Sequence, residues 1–123
     1  MSEVSSLDSV VVEDGLLEIR RGPAAETCVI RVSGELDLAS VESLERELRH
    51  AETLDPKTIV LDLRGLDFID STGILLLVQA SRRAEANGHA LGLTQASDAV
   101  QRVLELSGLD RVLPFVDEKE SLS

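Results

Sequence analysis

The sequence predicts an α/β domain built on a mixed, mainly parallel sheet of about four to five strands with about three to four helices. Three observations carry this. Short runs rich in Val, Ile and Leu alternate with segments of helical period from Cys28 onward. A chain of 123 residues suits one domain rather than two. Hydrophobic residues make up 43% of it, yet Phe68 and Phe115 are the only aromatics, so the core must be packed from Leu, Val, Ile and Ala.

Residues 1–14 are Ser-rich and carry Glu3, Asp8, Glu13 and Asp14 without a basic residue, which reads as a mobile acidic tail ahead of a domain over residues 15–123. Within that tail, Val10-Val11-Val12 can add a short edge strand. Residues 16–20 and 28–32 flank a Gly22-Pro23 turn signal and predict a hairpin, hence an antiparallel start to the sheet. Ser40 suits the N-cap of a first helix, with Glu42 favourable to the dipole and Val41, Leu44 and Leu48 on one face. Pro56 closes that unit.

Residues 58–63 read as a buried strand, followed by a loop and a helix from about Ser71 to Asn87, with Gly88 as a left-handed stop. The first turns of that helix, residues 74–78, are apolar all round and need cover from neighbouring elements or from a partner. Residues 90–94 form a further strand. Ser97 caps a third helix whose apolar face is Val100, Val103 and Leu104, and Gly108 ends it. Strand and helix alternation implies right-handed crossovers. Leu113-Pro114-Phe115 reads as a last short strand and residues 117–123 as a fraying helical turn.

A formal net charge of −11 opposes nucleic acid and anionic lipid surfaces. It suits a basic or mixed-charge protein partner, or serves solubility alone. The single Cys28 cannot form an internal disulfide and fits a reducing cytoplasm. No secretory leader pattern and no apolar run near the ~18 residues of a membrane span is present. One cysteine with the distant His50 and His89 offers no metal cluster, and no phosphate-binding glycine loop is present, so neither metal nor cofactor is expected.

Chemistry concentrates in Asp70-Ser71-Thr72-Gly73, at the junction of strand and helix. The N–H groups and dipole of a helix N-terminus stabilise phosphate, and phosphorylation adds about 1.5 to 2 negative charges. Ser71 is therefore a candidate switch; its bland alternative is a capping hydroxyl. Thr72 is the competing acceptor, stiffer and one position further into the helix. The Asp70 carboxylate can accept hydrogen bonds from first-turn N–H groups and shape the loop. Gly73 permits close approach, of a packed strand or of a kinase. Glu35 and Asp37 are either a solvated loop pair or partner contacts, and Asp62 and Arg64 pair locally on their strand.

Catalysis by the chain itself is not expected. A nucleophile elbow needs glycine where Ile69 stands. His50 and His89 both fall at helix ends, and neither Lys57 nor Lys119 follows a buried strand as receiver-type chemistry requires.

Three ordered blocks, Gly34-Glu35-Leu36-Asp37, residues 61–73 ending in Asp70-Ser71-Thr72-Gly73, and Leu106-Ser107-Gly108-Leu109-Asp110, together resemble the STAS domain family. Within it the likeness is to the bacterial anti-sigma factor antagonists and covers roughly residues 16–115. The resemblance implies a STAS-type single domain acting in the cytoplasm as a phosphoprotein of stress-response transcription regulation. It implies partner switching: the unphosphorylated form binds an anti-sigma factor with serine kinase activity and releases a sigma factor. Phosphorylation of Ser71, or alternatively Thr72, ends that binding, and a serine phosphatase resets it. Partner contacts are expected from Glu35, Asp37, Asp70, Ser71, Thr72, Gly73 and Ile74, by a monomer, with a dimer as the alternative.

Two departures stand out. Thr72 replaces a frequent second serine, and Ile74-Leu75-Leu76-Leu77 replaces a Gly-rich helix start. The rival reading is a STAS accessory or scaffold subunit of a lipid-transport or stress-signalling assembly. If a phosphate on Ser71 faced a carboxylate about 10 Å away across an interface, repulsion at an effective dielectric near 20 would be about 3 kcal/mol, roughly a hundredfold in affinity.

Overall fold

Five strands line up in chain order, so each is hydrogen-bonded to its neighbour in sequence. The structure, a computed structural model, describes residues 10–22 and 26–116. The strands are β1 (Val10–Asp14), β2 (Leu17–Arg21), β3 (Thr27–Leu36), β4 (Thr58–Ile69) and β5 (Ala90–Leu93). Helices α1 (Val41–Thr53), α2 (Ser71–Asn87) and α3 (Asp98–Leu106) follow β3, β4 and β5 respectively, and a 3-10 turn covers Leu109–Arg111. Pairings β1/β2 and β2/β3 are antiparallel, whereas β3/β4 and β4/β5 are parallel, giving the mixed sheet expected.

The alternation of strand side chains decides what each face does. Leu17, Ile19, Cys28, Ile30, Val32, Ile59, Leu61, Leu63 and Leu93 join one buried core with Leu44, Leu48 and Ala51 of α1 and Leu76, Leu77 and Ala80 of α2. Leu36, Leu66 and Ile69 near the strand ends, Val100 and Leu104 of α3, and Leu113 complete it. Aliphatic packing replaces aromatic bulk throughout this core. Burial drives the Cys28 thiol pKa upward, as for a structural cysteine.

Several expectations shift in detail. The sheet starts at Val10, because β1 pairs along β2 and Ser43 of α1 donates to the Asp14 carboxylate at 2.7 Å. The domain therefore includes residues read as tail, and residues 1–9 lie outside the described residues. Leu16 belongs to the β1/β2 turn at Gly15 rather than to a strand, and is 71% exposed. The hairpin β2/β3 is present, with residues 23–25 of its turn outside the described residues.

Strands β3 and β4 both run further than their apolar runs indicated. Their parallel pairing continues to Leu36 opposite Ile69, through register shifts between Arg31 and Ser33 and between Gly34 and Glu35. Gly34 makes this passable: its φ is +100°, and a Cβ there would stand 1.9 Å from the Leu16 carbonyl oxygen. What read as a loop after residue 63 is thus strand up to the residue before Asp70.

Ser40 occupies the N-cap position of α1 but makes no side-chain cap; its hydroxyl turns back toward the Glu35 carbonyl, 3.1 Å away. Ser97 does cap α3, and Gly88 ends α2 in the left-handed conformation. Val103, expected on the buried face of α3, is exposed. The last strand reduces to one parallel bridge, Leu93 with Phe115, and residues 117–123 lie outside the described residues.

Candidate functional site

The extension of β4 delivers Asp70 directly onto the start of α2. Asp70 is the N-cap, in extended conformation, and its Oδ1 accepts from the N–H groups of Thr72 at 2.9 Å and Gly73 at 3.1 Å. The expected loop-shaping carboxylate is present. Its second oxygen does something not readable locally: Oδ2 accepts the Leu38 N–H at 3.1 Å, while the Asp70 N–H donates to the Leu36 carbonyl at 3.2 Å. Asp70 thereby joins the start of α2 to the β3/α1 loop. The hydrogen bond from the Thr72 hydroxyl, with those from the three N–H groups, outweighs the opposing effect of burial and holds the Asp70 carboxyl below its ordinary pKa.

Ser71 is the first residue of α2 and is exposed. Among the described residues its hydroxyl has no hydrogen-bond partner. Thr72 differs. It is partly buried, and its Oγ1 donates to Asp70 Oδ1 at 2.5 Å. The bonds to Asp70 also narrow the phosphate-cradle expectation, because the N–H groups of Thr72 and Gly73 are already occupied and only that of Ser71 remains.

Gly73 is buried, and a Cβ there would meet Ile69 Cγ1 at 2.8 Å and Leu36 Cγ at 2.9 Å. It serves the packing of α2 onto the strand ends; burial removes it from the surface on which it was expected as a partner contact. Ile74 is half-buried and packs on the core. Cover for the apolar helix start comes mostly from the fold itself, with Leu75 left exposed.

The Gly34-Glu35-Leu36-Asp37 block lies beside the end of β4, just before Asp70 and Ser71, through the β3–β4 pairing. Asp37 is a loop organiser: Oδ1 accepts from the Ala39 N–H at 3.1 Å and its carbonyl accepts from Ser40 and Val41 N–H. Glu35 sits in register with Phe68. Asp37, Leu38, Ala39, Phe68 and Asp70 line a shallow open hollow. Leu38 is 74% and Phe68 47% exposed, and the sequence singled out neither. Strand alternation would place Leu38 on the same face as the buried Leu36; it turns outward because β3 ends at Leu36. Asp62 and Arg64 pair as expected, at 2.7 Å, on the strand, and neither lines this hollow. Among the described residues no group of three or more His, Cys, Asp or Glu could hold a metal, and no helix is long and apolar enough to cross a membrane.

The sequence profile of the STAS domain matches residues 16–122. The chain belongs to the STAS domain family. This STAS domain is 33% identical over 98 residues to an anti-sigma F factor antagonist of Lysinibacillus sphaericus, covering 79% of this chain and 84% of that protein. Among solved structures it is similar to the anti-sigma factor antagonist SpoIIAA in its unphosphorylated form, with a TM-score of 0.69 and 29% identity over 85% of this chain and 92% of that one. The Bacillus cell fate determinant SpoIIAA in its phosphorylated form aligns with a TM-score of 0.64, also at 29% identity, over 85% of this chain and 96% of that one.

Proposed function

We propose that this STAS domain is an anti-sigma factor antagonist of the cytoplasm that works as a monomer. With Ser71 unmodified it binds an anti-sigma factor with serine kinase activity, which then releases its sigma factor. The kinase transfers the ATP γ-phosphoryl group to Ser71 Oγ: the new O–P bond forms as the bond to ADP breaks, and the hydroxyl proton passes to a base of the kinase. A serine phosphatase hydrolyses the ester and restores binding.

One observation carries this reading. At the mouth of α2 a serine hydroxyl stands exposed and uncommitted, while the adjacent Thr72 hydroxyl is held by Asp70. Relatives named as anti-sigma factor antagonists support the partner class, and the phosphorylated structure of one of them supports a covalent switch. The added group stays at the surface and obstructs docking without refolding the domain.

The test mixes the protein with the kinase-type anti-sigma factor of the same genome and ATP. Wild type takes up one phosphate; Ser71→Ala takes up none and still binds; Ser71→Glu binds poorly. Equal labelling of Ser71→Ala would move the switch to another residue.

A further inference from the structure

We propose that Leu38 and Phe68 form the anchor of the partner contact, a rigid shelf that takes an apolar side chain of the anti-sigma factor flanked by Lys or Arg. The inference rests on the function proposed above and names the residues that supply its affinity.

Both residues line one hollow, together with Asp37, Ala39 and Asp70. Of the two aromatics in the chain, Phe115 packs against the core, whereas Phe68 opens to solvent next to the switch. Clustered exposed apolar side chains on a small domain mark interaction sites, and aromatic anchors dominate such contacts. The shelf is also held in place. Its Leu38 N–H is bound by Asp70 and its Ala39 N–H by Asp37, so little ordering remains to be done on binding.

Charge selects the occupant. Asp37 and Asp70 are in the wall of the hollow, Glu35 is in register with Phe68, and among the described residues no Lys or Arg lines it. Among the described residues neither Glu35 nor Asp37 has an ion-pair partner, and the Asp70 carboxyl is held ionised. An apolar side chain with cationic neighbours complements this arrangement. Phosphate on Ser71 would bring a tightly hydrated dianion to the edge of the shelf, where the incoming apolar group must displace water. Such a block needs no rearrangement of the fold.

The test titrates the purified kinase-type anti-sigma factor of the same genome, with ADP in place of ATP, into wild type, Leu38→Ser, Phe68→Ser and a remote control, Leu106→Ser. Leu106 is 78% exposed at the end of α3 and does not line the hollow. Circular dichroism melts check that each variant folds. The shelf variants should lose at least about tenfold in affinity and the control none. In nitrogen-15 spectra the Leu38, Ala39 and Phe68 amides should shift on titration while Leu106 stays still. Glu35→Gln with Asp37→Asn should weaken binding further at low salt than at high salt; a salt-independent loss overturns the cationic flank. Wild-type binding with shelf variants within about twofold of it overturns the anchor and leaves the Ser71 reading standing. A folded wild type that does not bind at all removes both.

Discussion

Asp70 and Leu38, 32 positions apart, are joined by a 3.1 Å hydrogen bond from the Leu38 N–H to Asp70 Oδ2. The same carboxylate caps α2, so one side chain fixes both the start of α2, where Ser71 stands, and the loop beside it. Asp70→Ala should lower the melting temperature and accelerate hydrogen exchange at the Leu38, Thr72 and Gly73 amides. Asp70→Asn retains an acceptor and should recover part of that protection. Unchanged exchange at Leu38 in the alanine variant would separate the loop from the cap.

Gly73 yields a second expectation. Its missing Cβ leaves room for Ile69 and Leu36, neither of which can withdraw, since both are buried where β3 and β4 end. Gly73→Ala is therefore an overpacking change and should cost about 1 to 3 kcal/mol in urea unfolding, despite the better helix propensity of alanine. A gain in stability would show that α2 can lift off the strand ends.

These two residues also mark how far the sequence could be read. Asp70 as a cap, Gly88 as a stop and Ser97 as a second cap follow from chemistry within four residues, and each is found. The lengths of β3 and β4 do not, because their last residues are held by pairing across a bulge that only Gly34 tolerates, set by a contact with Leu16. The same long-range pairing puts Phe68 outside and Ile69 inside. Ser40 shows the opposite failure: a good capping residue whose hydroxyl is drawn to the Glu35 carbonyl by the tight turn at Asp37. Thus Ser71 was legible as a switch candidate, but the apolar shelf next to it was not.

Acid sensitivity should come in part from Asp62. Burial pushes its carboxyl upward, but hydrogen bonds and charge from Arg64, with a further bond from Thr94, outweigh that and hold it below the ordinary aspartate range. A carboxyl depressed on folding stabilises the native state fully above its unfolded pKa, and the contribution disappears as pH falls through the folded value. Stability should therefore be flat in this respect above about pH 5 and decline below about pH 4. Asp62→Asn should be less stable near neutrality and show a shallower acid decline. Identical acid limbs in the two proteins would remove Asp62 from the account.

Phosphorylation puts a second anion next to Asp70, whose oxygens already occupy the Thr72 and Gly73 N–H groups. The modified serine gains the favourable end of the helix dipole, worth about 0.3 to 1 kcal/mol at an exposed site, but it gains few direct N–H partners and meets a like charge. Phosphorus-31 titration of the modified protein separates these effects. The second phosphate pKa, about 6 for a free phosphoserine, should be lower in Asp70→Asn than in the wild-type sequence, because removing the neighbouring carboxylate favours the dianion. Amide shifts on modification should stay within the first turn of α2 and the loop around Leu38. Equal phosphate pKa values in the two proteins would mean that the phosphate swings away from Asp70, and shifts spread through the sheet would mean that the switch works by rearranging the domain instead of obstructing its surface.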